Sequence, residues 1–131
     1  MTSAHQLADR DTIENPRVGV LVVAFNAAST VAATLARLPQ GFAETVDHIL
    51  VCDDASSDDT YQVAADFKSR STWPLTVVRH ETNLGYGGNQ KAGYEWAKNH
   101  GLDIVVLLHG DGQYAPEVIE DLTAPLLNGE A

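Results

Sequence analysis

The chain has 131 residues, enough for one domain with a real core. Apolar residues make up 44% and charged residues 20%, while 8 Lys and Arg against 18 Asp and Glu leave a net charge of −10. That balance excludes a nucleic-acid backbone as partner but admits a phosphorylated ligand brought in by a metal ion.

The first 16 residues are polar and lack the apolar stretch of a signal peptide, so they read as a flexible lead-in to a domain over residues 17–131. "VGVLVVA" (18–24) is a continuous β-branched run, the pattern of a strand covered on both faces. "STVAATLARL" (29–38) spaces Val31, Leu35 and Leu38 as a helix with Ser29 as N-cap, and Pro39-Gln40-Gly41 breaks it. "VDHILVCD" (46–53) is a second strand, and residues 55–70 form a helix with Val63, Ala64 and Phe67 on one face. "LTVVRH" (75–80) is a shorter strand nearer an edge. Residues 85–100 are a glycine-rich turn running into a helix that buries Ala92, Trp96 and Ala97. "DIVVLLH" (103–109) is a fourth strand, and residues 115–129 a last helix bounded by Pro116 and Gly129 and kinked at Pro125.

The order βαβαβαβα with short connections predicts an α/β fold: an open, doubly wound, mainly parallel sheet in three α/β/α layers. Ligands of such sheets bind beyond the carboxyl ends of the strands, so residues just after positions 24, 53, 80 and 109 are the candidates. No run approaches the roughly 20 apolar residues that cross a bilayer. The single cysteine, Cys52, forms no intrachain disulfide and fits a reducing, cytoplasmic setting.

At the first tip Phe25 offers a ring to stack on a flat group, and Asn26 a phosphate donor or helix cap. At the second, Asp53-Asp54 are adjacent carboxylates suited to the N–H of a nucleobase or the hydroxyls of a ribose, while Ser56 and Asp59 have capping-box spacing. At the third, the glycines of Asn83–Gly93 let backbone N–H groups approach an anion, with Lys91 one turn in; the P-loop pattern is absent. At the fourth, Asp111 and His109 could give a divalent cation one or two ligands, the rest coming from water and diphosphate oxygens. His5, His48, His80 and His100 have no ligand spacing and read as solvated.

Together the four tips resemble the nucleotide-sugar-binding half of family 2 glycosyltransferases of the GT-A fold, closest to the polyprenyl- and dolichyl-phosphate sugar synthases. The "YNE"-like motif lies over Phe25-Asn26-Ala27, "DDgSxDxT" over Asp53–Thr60, "NxGxGgAxxxG" over Asn83–Gly93, and "DADlQhpPE" over His109–Glu117. The resemblance implies a nucleotide site of Phe25, Asn26, Asp53, Asp54, Gly85, Gly87 and Lys91, and a Mg²⁺ or Mn²⁺ ion held by Asp111, with His109 as a second candidate ligand. It implies inverting transfer of a sugar from a UDP-, GDP- or dTDP-sugar to an acceptor such as a polyprenyl phosphate or a glycan. Two departures stand out: His109 replaces the first acid of the metal motif, and Ala27 an acid of the first motif.

The chain stops at Ala131, before the acceptor-binding segment and catalytic base of such enzymes. It is therefore expected to be the donor half of a longer transferase, incomplete in catalysis alone, with an exposed edge that favours self-association and membrane contact left to other regions. Three alternatives stand beside this reading. A sugar nucleotidyltransferase would need a glycine- and lysine-rich first loop, which "AFNAAST" is not. A degenerate binding module is favoured by Ala27 and His109. A response-regulator-like domain shares only the acidic tips.

Overall fold

A computed structural model of the chain describes residues 3–6 and 16–111. In chain order the elements are β1 (Ser3–Gln6), β2 (Val18–Ala24), α1 (Val31–Ala36), α2 (Gln40–Thr45), β3 (His48–Asp53), α3 (Thr60–Arg70), β4 (Leu75–Arg79), α4 (Gly85–Asn99) and β5 (Ile104–His109). They build a five-stranded sheet of order β1-β5-β2-β3-β4. The pairs β2–β3, β2–β5 and β3–β4 are parallel, and β1–β5 is antiparallel.

The doubly wound, mainly parallel fold expected from the sequence is present. Strand β2 is buried at every position. Val18, Val20, Val22 and Ala24 enter the core shared with Val31 and Leu35 of α1 and Ala64 of α3, whereas Leu21 and Val23 face Ala97, Tyr94 and Trp96 of α4. Because successive side chains of a strand point to opposite faces, a strand buried on both sides cannot alternate, which explains its unbroken apolar run. Fully burying a side chain such as Leu21 or Val22 contributes about 1.5–3 kcal/mol.

Several boundaries differ from the sequence reading. Helix α1 starts at Val31 with Thr30 at its N-cap, so Ser29 is not the cap; no side chain caps the helix. Pro39 ends this stretch but is also the N-cap of α2, because a residue lacking N–H is tolerated where a helix begins. Residues 55–59 are loop rather than helix, and α3 starts at Thr60. The glycine-rich segment is no turn before a helix: Gly85, Gly87 and Gly88 lie inside the first turn of α4. The buried face of that helix is Asn89, Gly93 and Ala97, four residues apart, with Ala92 and Trp96 only half-buried. At Gly93 a Cβ would come within 2.5 Å of Leu21, so glycine lets α4 sit close on the sheet.

The flexible lead-in expected over residues 1–16 is corrected at Ser3–Gln6, which pairs with Ile104–Leu107 along the edge of β5. Backbone hydrogen bonds make this pairing, so no hydrophobic pattern announces it. Of the histidines expected to be solvated, His100 is exposed, whereas His48 and His80 are half-buried. His48 lies 4.9 Å from Trp96 and its Nε2 is 2.7 Å from Thr76 Oγ1; His100 stacks on Trp96 at 3.7 Å; His80 Nε2 is 2.8 Å from Asn89 Oδ1. The last predicted helix, 115–129, lies outside the described residues.

From β2 the chain moves outward through β3 and β4, then returns to place β5 on the other side of β2. The strand order thus reverses between β2 and β5. Ligands of open α/β sheets bind at the carboxyl end of such a switch point.

Candidate functional site

The loops after β2 and β3 are laced together. Asn26 takes a left-handed backbone, φ 49°, which asparagine tolerates. Its N–H donates to Ser56 Oγ at 2.8 Å, and its Oδ1 accepts from Ser57 N–H at 2.9 Å. Ala27 N–H donates to Thr60 Oγ1 at 2.8 Å and Ala28 N–H to Asp58 Oδ2 at 3.1 Å. The Thr60 hydroxyl above all holds the Asp58 carboxyl below its ordinary range. Asn26 therefore binds the neighbouring loop rather than capping a helix. Ala55 is also left-handed, φ 57°, an unfavourable conformation for a residue with a Cβ, which these loop contacts hold in place.

The adjacent carboxylates do different work. Asp53 is 1% exposed and its Oδ1 accepts from the N–H and hydroxyl of Ser56. Its Oδ2 lies 3.8 Å from Arg79 Nε, an ion pair too long to be a hydrogen bond. Arg79 Nη2 donates to Ser56 O at 3.1 Å. The capping box expected of Ser56 and Asp59 does not form, because Ser56 is engaged by Asp53 and the N-cap Asp59 makes no side-chain bond; Asp58 Oδ1 instead accepts Thr60 N–H at 3.0 Å. Asp54, equally buried, turns the other way. Its N–H donates to Ala24 O at 2.9 Å and its Oδ1 accepts Leu84 N–H at 2.7 Å, at the entrance to α4. One neighbour compensated by Arg79 and the other by a helix N-terminus is how two acids stand side by side.

Helix α4 brings the third tip. Gly85, φ 78°, is at a position that disfavours a Cβ, and its N–H donates to Asn83 Oδ1 at 2.9 Å. Asn83 Nδ2 donates to Asp54 O at 3.1 Å. Asn89, buried, donates from Nδ2 to Cys52 O at 3.1 Å. At the fourth tip Gly110 N–H donates to Val23 O at 2.9 Å, and its carbonyl accepts from Thr30 Oγ1 at 2.8 Å, tying the end of β5 to β2 and α1.

These tips enclose a cavity of about 390 Å³ lined by Val23, Ala24, Phe25, Asp54, Asn83, Gly85, Tyr86, Asn89, His109 and Asp111. Its size is that of a small-molecule site. Of the sequence candidates, Phe25, Asp54, Gly85, His109 and Asp111 meet here, and Phe25 is 53% exposed. Asn26 and Asp53 do not line it. Gly87 and Lys91 face a separate shallow depression on the outer side of α4, with Gln90, Tyr94, Glu95 and Lys98. Asn83, Tyr86 and Asn89 were missed. Asn83 heads the glycine-rich segment, and Tyr86, Asn89 and Gly93 repeat at helical spacing once that segment is taken as helix.

Among the described residues no group of three or more His, Cys, Asp and Glu could cage a metal. Asp111 supplies one carboxylate at the cavity wall, which suits a hard divalent ion that takes its remaining ligands from water and a bound diphosphate. His109 Nε2 lies 3.0 Å from the Tyr86 hydroxyl, so that nitrogen is already engaged.

Residues 19–131 match the sequence model of the family described as glycosyl transferase family 2. The chain belongs to that family. The family-2 chain is 30% identical over 93 residues to a UDP-N-acetylglucosamine–dolichyl-phosphate N-acetylglucosaminyltransferase of Methanococcus voltae, covering 63% of this chain and 37% of the relative. It is 32% identical over 106 residues to an undecaprenyl-phosphate mannosyltransferase of Micrococcus luteus, covering 81% and 42%. Among solved structures it resembles glucosyl-3-phosphoglycerate synthase of Mycobacterium tuberculosis, crystallised with Mn²⁺, UDP and glucosyl-3-phosphoglycerate. That match has a TM-score of 0.68 and 26% identity, over 88% of this chain and 41% of that one. The chain thus spans less than half of each of these relatives. Its fold is the nucleotide-binding part of the GT-A type. No helix among the described residues is long and apolar enough to cross a membrane.

Proposed function

We propose that the chain is the donor-binding part of a glycosyltransferase that moves a sugar from a nucleoside-diphosphate sugar to an acceptor, with inversion and the assistance of a divalent cation. The observation that carries this reading is the convergence of residues from the tips of four parallel strands on one cavity at the switch point. Phe25 stacks on the nucleobase, and the Asp54 carboxylate accepts from the base or the ribose. Asn83 and Gly85 set the wall between base and diphosphate, while Asp53 and Arg79 hold the loop behind Asp54. Asp111 faces the diphosphate and holds the cation, Mg²⁺ or Mn²⁺ by the chemistry of a lone carboxylate. When bound, that ion neutralises charge on the departing diphosphate.

In the transfer, a bond forms between the acceptor oxygen and the anomeric carbon as the bond from that carbon to the diphosphate breaks, its electron pair leaving with the nucleoside diphosphate. An acceptor phosphate is already ionised and needs no base. The names of the matched relatives support a polyprenyl phosphate as that acceptor. A membrane-bearing acceptor implies attachment at the inner face of a membrane, and the edge of β4 offers a surface for self-association.

Calorimetric titration of UDP and GDP, with and without Mn²⁺, tests the reading. Mn²⁺ strengthens nucleotide binding by about tenfold in the unchanged chain and leaves it unchanged in Asp111→Ala, whereas failure of the unchanged chain to bind either nucleotide, with or without Mn²⁺, would refute a donor site altogether. A binding module without transfer is favoured by one observation, the engagement of His109 Nε2 by Tyr86. Nucleotide binding without sugar transfer by the full-length protein would select it.

A further inference from the structure

Tyr86 is an exposed aromatic, 55% accessible, in the first turn of α4. Its ring lies nearly parallel to the imidazole of His109, with centroids 5.2 Å apart and planes 12° apart. Its hydroxyl is 3.0 Å from His109 Nε2. The two residues come from different elements and both line the cavity that Asp111 also lines. Stacking and hydrogen bonding together fix the two rings against each other, so the wall at the tip of β5 is flat and built in advance.

We propose that Tyr86 and His109 are a positioning pair that lowers the dependence of donor binding on the cation. The inference rests on the donor-site reading and concerns the diphosphate end of that site. A carboxylate at position 109, two residues from Asp111, would set a second negative charge beside a diphosphate, and only a cation would make the arrangement tolerable. The imidazole held by Tyr86 brings no such charge. Among the described residues the acidic groups lining the cavity are then Asp54, whose Oδ1 is committed to Leu84 N–H, and Asp111. Tyr86 keeps the imidazole plane parallel to its own ring, presenting a surface rather than a mobile side chain to the ligand.

The test compares the wild-type chain with His109→Asp, His109→Gln and Tyr86→Phe, titrating UDP and GDP in Mn²⁺ and in EDTA, with a melting curve for each variant. The wild type keeps measurable affinity in EDTA, weaker than in Mn²⁺ by about tenfold. His109→Asp widens that ratio by at least about tenfold, by weakening the metal-free binding, as expected for an added like charge in a cleft. His109→Gln, uncharged and able to bond Tyr86, keeps the wild-type ratio. Tyr86→Phe, at an exposed position, keeps the melting temperature, weakens nucleotide binding several-fold more in EDTA than in Mn²⁺, and shifts the ring ¹⁵N resonances of His109. Equal ratios in the wild type and His109→Asp overturn the proposal. So do an unchanged ratio and unchanged ring resonances in Tyr86→Phe, which decides the matter if His109→Asp does not fold. Failure of the wild type to bind either nucleotide overturns the donor site itself; binding with unmoved variants overturns the pair alone.

Discussion

Asp54 is the residue at which fold and ligand can be separated experimentally. Its Oδ1 accepts Leu84 N–H at 2.7 Å where α4 begins, and it lines the cavity. Asp54→Asn keeps an oxygen for Leu84 and removes the charge; Asp54→Ala removes both. Leaving a partly buried N–H without its acceptor costs about 1–2 kcal/mol, the lower half of the usual range because Leu84 is exposed enough for water to substitute. For a chain of this length that lowers the melting temperature of the alanine variant by about 4–8 °C, whereas the asparagine variant stays within about 2 °C of wild type. A hydrogen bond to a charged acceptor contributes about 1.5–3 kcal/mol, so both variants lose about tenfold to hundredfold in nucleotide affinity. Calorimetry and a thermal melt on the three proteins read both effects. An asparagine variant that binds as tightly as wild type refutes the assignment of Asp54 to the ligand. One that melts as low as the alanine variant refutes the role given to the Leu84 hydrogen bond.

Gly93→Val places side-chain carbon where a Cβ already meets Leu21 at 2.5 Å, and costs about 1–3 kcal/mol through overpacking, seen as a lower denaturation midpoint with an unchanged slope. Burial pushes the Cys52 thiol up to about 12, so a thiol reagent at pH 8 leaves the native chain unlabelled until denaturant is added; rapid stoichiometric labelling of the native protein contradicts the burial. Burial, and then the charge of His100, with Lys68 and Arg17 behind it, holds His48 below its ordinary value of 6.5. The unfolded chain therefore takes up the proton more readily. The contribution of His48 to stability is present above the unfolded value and is lost as the pH falls through the folded one. His48→Gln accordingly shows a smaller drop in melting temperature between pH 7.5 and 5.5 than wild type, and equal drops exclude His48 as the cause.

The four parallel strands were legible because each is an apolar run set off by polar tips, and five of the residues so marked, Phe25, Asp54, Gly85, His109 and Asp111, line one cavity. What was hidden depends on contacts between segments. Ser56 and Asp59 have the spacing of a capping box, yet Asp53 competes for Ser56 and wins with a buried charge-assisted bond. The glycines at 85, 87 and 88 argue against a helix by propensity, but the packing of Gly93 on Leu21 and the anchoring of Asn89 to Cys52 and His80 override that preference. Asp53 and Asp54 are indistinguishable by sequence; Arg79 claims one of them, from a strand 26 residues later by number. Tyr86 and His109 meet only because α4 leans on β2, the neighbour of β5.

Helix α4 has 15 residues, a rod of about 22 Å. One end carries Tyr86 and Asn89 into the cavity, while at the other Trp96 is stacked on His100 and meets His48 at a tilt of 38°. Indole emission responds to imidazole contact, so Trp96 is an optical gauge mounted on the same rod, outside the cavity lining. A change in Trp96 emission on adding nucleotide, absent from a Trp96→Phe variant that keeps Trp73, is the expected sign that the helix moves as one piece.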